Sequence, residues 1–226
     1  MKRCLLAIFG SSCLGCVSVV SAAETSATVE VGLATAYVFR GLKEGELTAH
    51  PALEVSSGDF YGGVYSIVPL TDRGGRFGYH DEFELYAGYG WAVGDRTALD
   101  AGGTYRFRPD GGSSFECYLG ARQEYGTLSP SLYIYRDFQF DTTTLEVASD
   151  LNAPIENLPF TFSVFLGRAL AAGPRDYTYY GAGALYPIEV NDATKVSLGL
   201  RYVGNDLGGA YSRNHIYGTA AFSLDF

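Results

Sequence analysis

Alternation with period two runs through this chain from residue 27 to its end, and no stretch beyond the first twenty residues is apolar enough to form a membrane-spanning helix. In 27–39 the odd positions are Ala27, Val29, Val31, Leu33, Thr35, Tyr37 and Phe39, set against Thr28, Glu30, Gly32, Ala34, Ala36 and finally Arg40. In 82–93, Phe83, Leu85, Ala87, Tyr89, Trp91 and Val93 oppose Glu82, Glu84, Tyr86, Gly88 and Gly90. Leu99, Tyr105 and Phe107 oppose Asp100, Thr104, Arg106 and Arg108, and Phe115, Cys117 and Leu119 oppose Glu116, Tyr118, Gly120 and Arg122. The same two-faced pattern recurs in 145–151, in 195–202 and in the last strand, which ends on Phe222, Leu224 and Phe226. A side chain repeat of two means extended strands with one apolar and one polar face.

Further candidate strands are 51–57, 60–69, 128–138, 159–170 and 177–187, which brings the count to twelve. In 128–138 and 159–170 the best register places Arg136 and Arg168 on the apolar face near a strand end. Turn chemistry such as SGD, VGDR, RPDGGS and AAGPRD separates the strands. No linker or low-complexity tract divides them.

The chain opens with Lys2, Arg3 and an apolar run to Val20, followed by SAAE. A basic start, a short apolar core and small residues before a cut describe a secretory signal peptide over 1–23. A lipoprotein reading through Leu14-Gly15-Cys16 is weaker, because Cys13 stands where an aliphatic residue belongs. Three of the four cysteines fall in that leader, so Cys117 is left without an intrachain partner. Removing the leader takes two cations from 16, leaving 14 Lys and Arg against 25 Asp and Glu, net −11. That balance excludes a nucleic-acid partner, which needs a cationic surface.

A soluble sandwich also alternates, but it turns its apolar face inward and its charges out. An outer-membrane barrel does the reverse. The leader, the even strand count, aromatics near strand ends and glycine-rich polar faces favour a closed antiparallel transmembrane β-barrel of twelve strands, formed by residues 24–226. About 17 residues per strand and connection suits tilted spans of about 9–11 residues. Closure also removes the sheet edges. On this reading Tyr37 and Phe39 face lipid at the outer interface, and Arg40 turns into the mouth of the lumen. The expected partners are outer-membrane lipid and small solutes or ions, in the outer membrane of a Gram-negative bacterium.

Several short elements resemble the TorF-type porins of Gram-negative bacteria. They are YVFRG at 37–41, Pro51-Ala52-Leu53, Phe60-Tyr61-Gly62-Gly63, Glu84-Leu85-Tyr86-Ala87-Gly88-Tyr89 and Phe115-Glu116-Cys117-Tyr118-Leu119-Gly120. Phe226, with Leu224 and Phe222 at alternate positions, is similar to the signal read by the barrel-assembly machinery. The resemblance implies a channel-like outer-membrane protein and carries no substrate or catalytic residue with it.

With both termini in the periplasm, the external loops fall at 41–50, 69–80, 109–113, 139–142, 171–176 and 204–214. All are short, so none is expected to fold in as a large plug. The charged residues of the polar rows supply the candidate lumen and selectivity set: Arg40, Glu82, Glu84, Asp100, Arg106, Arg108, Glu116 and Arg122. Face matching sets Arg106 between Glu84 and Glu116, Arg108 near Glu82, and Asp100 against Arg122. Such a set either neutralises charge in a confined lumen or sorts solutes. Carboxylates outnumber bases in the rows, which predicts a narrow, weakly cation-preferring channel.

His50, His80 and His215 all fall near the external rim, and a metal site there lacks support beyond the residue type. His215 with Ser212, or His80 with Asp81, are the only beginnings of a nucleophile–base pair, and neither has a supporting motif. No catalytic residue, metal or cofactor is therefore expected. An outer-membrane lipase or protease, and an adhesion or structural barrel, are the rival classes.

Overall fold

The apolar row of each strand faces outward and the polar row faces the interior. Val31, Leu33, Leu85, Leu119, Leu132, Leu166 and Leu200 are exposed, while Glu30, Glu82, Asp100, Thr104, Glu116 and Glu146 are buried. The structure, a computed structural model, describes residues 25–71, 81–109, 112–153, 159–171, 176–209 and 213–226. The leader assigned to 1–23, His80 and Ser212 lie outside the described residues.

Fourteen strands are present among them: β1 (Thr25–Ala34), β2 (Tyr37–Phe39), β3 (Leu42–Gly45), β4 (Thr48–Ser57), β5 (Phe60–Pro69), β6 (Glu82–Val93) and β7 (Thr97–Arg108), then β8 (Gly112–Gln123), β9 (Leu128–Asp137), β10 (Thr142–Asn152), β11 (Thr161–Ala171), β12 (Tyr177–Glu189), β13 (Thr194–Asn205) and β14 (His215–Asp225). Twelve of these form one closed antiparallel barrel in sequence order, with β1 between β14 and β4. The seam is closed by backbone bonds between Ala27 and Phe226, 2.9 and 3.3 Å long, and by Thr28 Oγ1 donating to Asp225 Oδ1 at 2.7 Å. No backbone edge is left for water or lipid to satisfy, the condition for spanning a bilayer with strands.

The twelve expected strands are all found. The first one differs. Instead of one strand over 27–39, β1 stops at Ala34, and β2 and β3 pair only with each other, in a hairpin separate from the barrel sheet. Tyr37 does not meet lipid; it is buried against Tyr65, Ile67 and Tyr86 inside the barrel, and Phe39 packs on the same cluster. The loop between β1 and β4 therefore folds into the lumen. The expectation that no loop would do so rested on length, and a hairpin with a two-residue turn needs very little length.

The glycines of the polar rows have a specific use. Tyr61 pairs across the sheet with Gly88, Tyr86 with Gly63, Tyr118 with Gly102, Tyr133 with Gly120 and Tyr179 with Gly167. In each case a Cβ on the glycine would overlap the tyrosine ring. The inward tyrosines thus lie down along the wall over a bare backbone; the hydroxyls of Tyr61, Tyr86, Tyr133 and Tyr179 donate to carboxylates, and that of Tyr118 meets the Tyr61 hydroxyl. Gly120→Ala is expected to lift the Tyr133 ring and destabilise the barrel by about 1–3 kcal/mol. Gly218→Ala, whose Cβ would meet nothing nearer than 3.9 Å, is expected to change little. The temperature at which each barrel loses its compact migration on a gel compares the two.

Arg136 and Arg168 do lie on the outer face near strand ends. Arg136 Nη1 donates to Thr143 Oγ1 at 3.0 Å and Arg136 also pairs with Asp141; Arg168 lies 3.6 Å from Asp176 and donates to Thr178 Oγ1 at 3.0 Å. Each arginine is neutralised at the rim, so neither places a lone charge on the apolar band.

Candidate functional site: a hairpin and an ion-pair chain inside the barrel

The hairpin turn is Arg40-Gly41, closed by Phe39 opposite Leu42. Both turn residues have positive φ, 46° at Arg40 and 82° at Gly41. That is the two-residue turn that suits a twisted hairpin, and a glycine fills it without strain. Gly41 is also required by proximity, since a Cβ there would stand 2.6 Å from Tyr179 Cβ on the wall. Its carbonyl accepts from Asn205 Nδ2 at 2.7 Å. Arg40 has no such freedom, and a non-glycine residue in this region is held there by its surroundings.

Those surroundings are electrostatic. Arg40 Nη1 donates to Glu116 Oε2 at 2.7 Å and Nη2 to Oε1 at 2.9 Å, a bidentate pair with both side chains buried. Arg106 Nη2 also donates to Glu116 Oε1, at 3.3 Å, and Arg106 Nε donates to Glu84 Oε1 at 2.6 Å. Arg108 bonds to Glu82 and lies 3.4 Å from Glu44 of the hairpin. The Arg40 and Arg106 guanidinium carbons each lie 4.8 Å from the centre of the Phe39 ring, and Arg40 lies 4.7 Å from that of Tyr135. Charge-assisted bonds and cation–π contacts thus fasten the hairpin to β7, β8 and β9. Val38 packs on the opposite side against Val203 and Tyr217.

Six of the eight candidate residues come together here: Arg40, Glu82, Glu84, Arg106, Arg108 and Glu116. The pair of Asp100 with Arg122 does not form. Asp100 accepts instead from Tyr61 at 2.7 Å and from Tyr133 at 3.2 Å, and Arg122 lies 3.2 Å from Asp150. Asp100 stands opposite Gly120 and Arg122 opposite Ala98, so they sit diagonally. The Tyr133 ring lying over Gly120 fills the space between them, and Arg122 turns the other way, toward β10. The sequence reading also missed Glu44, Asn205 and Tyr135, which act only because the hairpin reaches them.

His50 lies near the end of the barrel where the hairpin enters, but it is buried rather than placed on a rim. Its Nε2 is 2.7 Å from Thr48 Oγ1 and its Nδ1 is 2.5 Å from Tyr65 Oη, with the Tyr37 ring beside it. His215 is half-buried at the start of β14. Among the described residues no three His, Cys, Asp or Glu side chains group as metal ligands.

The hairpin has a consequence for the bore. In the half of the barrel away from the termini, every strand contributes a buried inward residue: Ala34, Thr48, Ile67, Glu84, Arg106, Glu116, Tyr135, Thr144, Ala169, Tyr179, Val203 and Tyr217. At this level the inner wall is covered by the hairpin and by these side chains. Toward the termini the inward side chains of Thr28, Ser56, Ser163 and Ser197 are partly exposed, and the lumen opens.

Closed architecture, twelve strands and an apolar exterior can be set beside solved structures. KdgM porin superposes with a TM-score of 0.63 at 12% identity, covering 88% of this chain and 99% of that one. The fold is that of the outer-membrane porins. KdgM porin in complex with disordered oligogalacturonate gives a TM-score of 0.62 at 12% identity over 89% of this chain and 99% of that one. NanC porin gives 0.54 at 12% identity over 88% and 98%. No family model matches the chain, and no curated protein matches it in sequence.

Proposed function

We propose that this porin-like barrel is an outer-membrane channel for ions or small solutes, weakly cation-preferring, with the 37–45 hairpin as its constriction. The observation that carries the reading is the ion-pair chain Arg40–Glu116–Arg106–Glu84, which ties a strained hairpin to the inner wall of the barrel. The proposed pore-lining set is the candidate set of the sequence. Arg40, Arg106, Arg108 and Arg122 each face a carboxylate, so these four leave little free positive field. Glu30, Glu54, Asp100 and Glu146 add carboxylates to the inner wall. A net acidic lumen enriches cations.

KdgM porin has been solved with oligogalacturonate, an acidic saccharide. The four arginines held by carboxylates support a different solute class, one without strong negative charge. Membership among the TorF-type porins is part of the proposal. It rests on the quoted elements, of which YVFRG is the β2 strand and turn of the hairpin. The distal end is taken as extracellular, the leader as cleaved after Ala23, and Phe226 with its exposed side chain as the end read by the assembly machinery. The reading assigns no catalytic residue and no cofactor.

Reversal potentials in a salt gradient test it. A modest shift toward the cation potential is expected, and strong anion preference would reject the selectivity. The covered inner wall of the distal half favours a second reading, a structural barrel without transport, and no conductance under any voltage would support that one instead.

A further inference from the structure

Four inward arginines are held by carboxylates: Arg40 by Glu116, Arg106 by Glu84 and Glu116, Arg108 by Glu82, and Arg122 by Asp150. Arg201 differs. Leu198, Leu200 and Tyr202 of β13 are exposed on the outer face, so Arg201 points into the lumen, where it is partly exposed. Among the described residues no carboxylate lies within ion-pair distance of it. Its partners across the sheet are Gly183 on β12 and Tyr217 on β14, and its inward neighbours along β13 are Gly199 and Val203. None of these is charged. Asp150 on β10 shares its row, but Gly183 and Ser163 stand between them and Asp150 is engaged with Arg122.

The wall beside Arg201 is shaped. A Cβ on Gly183 would stand 3.5 Å from Arg201 Cγ and 2.9 Å from Ser163 Oγ, so the arginine stem leans across a bare glycine toward the Ser163 hydroxyl. One inward position toward the hairpin, the Phe165 ring lies over Gly181 and packs against the cluster of Val38, Val203 and Tyr217. Arg201, Gly183, Ser163 and Phe165 thus form a recess at the lower edge of the level that the hairpin covers. A carboxylate left without a base can take up a proton, but an arginine cannot shed one, so only an anion balances it. The guanidinium fork fits a planar carboxylate with two parallel bonds. A phosphate dianion would bring two charges to a single base in a lumen rich in carboxylates.

We propose that this recess binds a small monocarboxylate with an apolar body. The carboxylate sits on the Arg201 fork beside the Ser163 hydroxyl, and the body lies against the Phe165 ring. Ser197 and Gly199, inward and partly exposed, connect the recess with the open proximal lumen and give the solute an entry path. One such station on one wall agrees with a cation preference that is only weak. The site deepens the channel reading by naming a solute class, and rests on it only for an aqueous path from the proximal side.

Saturation-transfer NMR of the whole detergent-folded barrel with benzoate tests the site without measuring current. The wild type is expected to show saturable binding, weakened roughly tenfold or more in Arg201→Gln and less in Arg201→Lys. Arg96→Gln, in the exposed β6–β7 turn, is expected to leave it unchanged. Benzamide, which has the ring without the charge, and acetate, which has the charge without the ring, are each expected to bind more weakly than benzoate. Heat-modifiable migration shows that each variant is folded. No saturable binding in the wild type overturns the proposal, because water alone then solvates Arg201. Equal binding in Arg201→Gln, or of benzamide, overturns it too. A barrel that binds benzoate through Arg201 yet passes no current keeps the site and removes the channel reading; current with no benzoate site does the reverse.

Discussion

Arg40→Ala is expected to release the hairpin and raise the current through the barrel several-fold, read as larger and longer openings in a planar bilayer. Arg40 donates two bonds, 2.7 and 2.9 Å long, to a buried Glu116. Removing one partner of such a pair costs about 3–5 kcal/mol, because the remaining charge stays buried. Arg106 still reaches Glu116 at 3.3 Å, which places the loss at the lower end of that range. Alanine at this position also keeps the strain of a positive φ with no bonds to offset it. Arg40→Gly removes charge and strain together, so it separates the two causes. If the ion pair holds the hairpin, both variants open; if only the alanine variant opens, turn strain is the cause. Arg40→Lys keeps the charge but loses the bidentate fork, and an intermediate current is expected.

Leu119→Arg is expected to destabilise the barrel by about 2–4 kcal/mol, the cost of a cation facing lipid at mid-depth. Leu119 is exposed on the outer face of β8, between Phe115 and the strand end at Gln123. Leu33→Arg, Phe83→Arg and Leu198→Arg test the same face on β1, β6 and β13. Ser163→Arg, inward and partly exposed in the proximal lumen, is expected to cost far less. Urea midpoints of the refolded barrels compare them. Equal losses on both faces would contradict the assignment of lipid and lumen sides. Gly32 and Thr104, which parity alone offers as lumen controls, are buried at the level of the hairpin. An arginine at either would meet packed side chains rather than water.

That difference shows where the sequence was legible. Alternation sorts faces strand by strand, so Glu84, Arg106 and Glu116 could be placed on one wall of the lumen from parity and turn positions. The chain Glu84–Arg106–Glu116 and the contact of Arg108 with Glu82 follow from the register of neighbouring strands. Asp100 and Arg122 obey the same parity, yet a tyrosine lying over Gly120 separates them. Parity carries no information on how a ring lies along the wall.

The hairpin was harder to read because its residues also alternate. Tyr37 and Phe39 continue the odd row of β1, and period two alone cannot tell a wall strand from a strand folded inside. One signal was present. The expected first strand, 27–39, was nearly twice as long as its expected neighbour, 51–57, and antiparallel partners should match in length. Ending the first strand at Ala34 and starting the next at Thr48 makes both ten residues long and frees the intervening segment. Arg40-Gly41 then becomes a turn rather than a rim.

Paired single-channel recordings of the wild-type barrel and of one in which a short glycine–serine link replaces residues 37–45 test the central claim most directly. The hairpin packs against inward residues of the distal half, so its removal is expected to leave a continuous bore. The wild type is expected to pass small or brief currents, and the shortened barrel a steady, several-fold larger one with the same modest cation preference. Equal currents from two folded barrels would contradict the hairpin as the constriction.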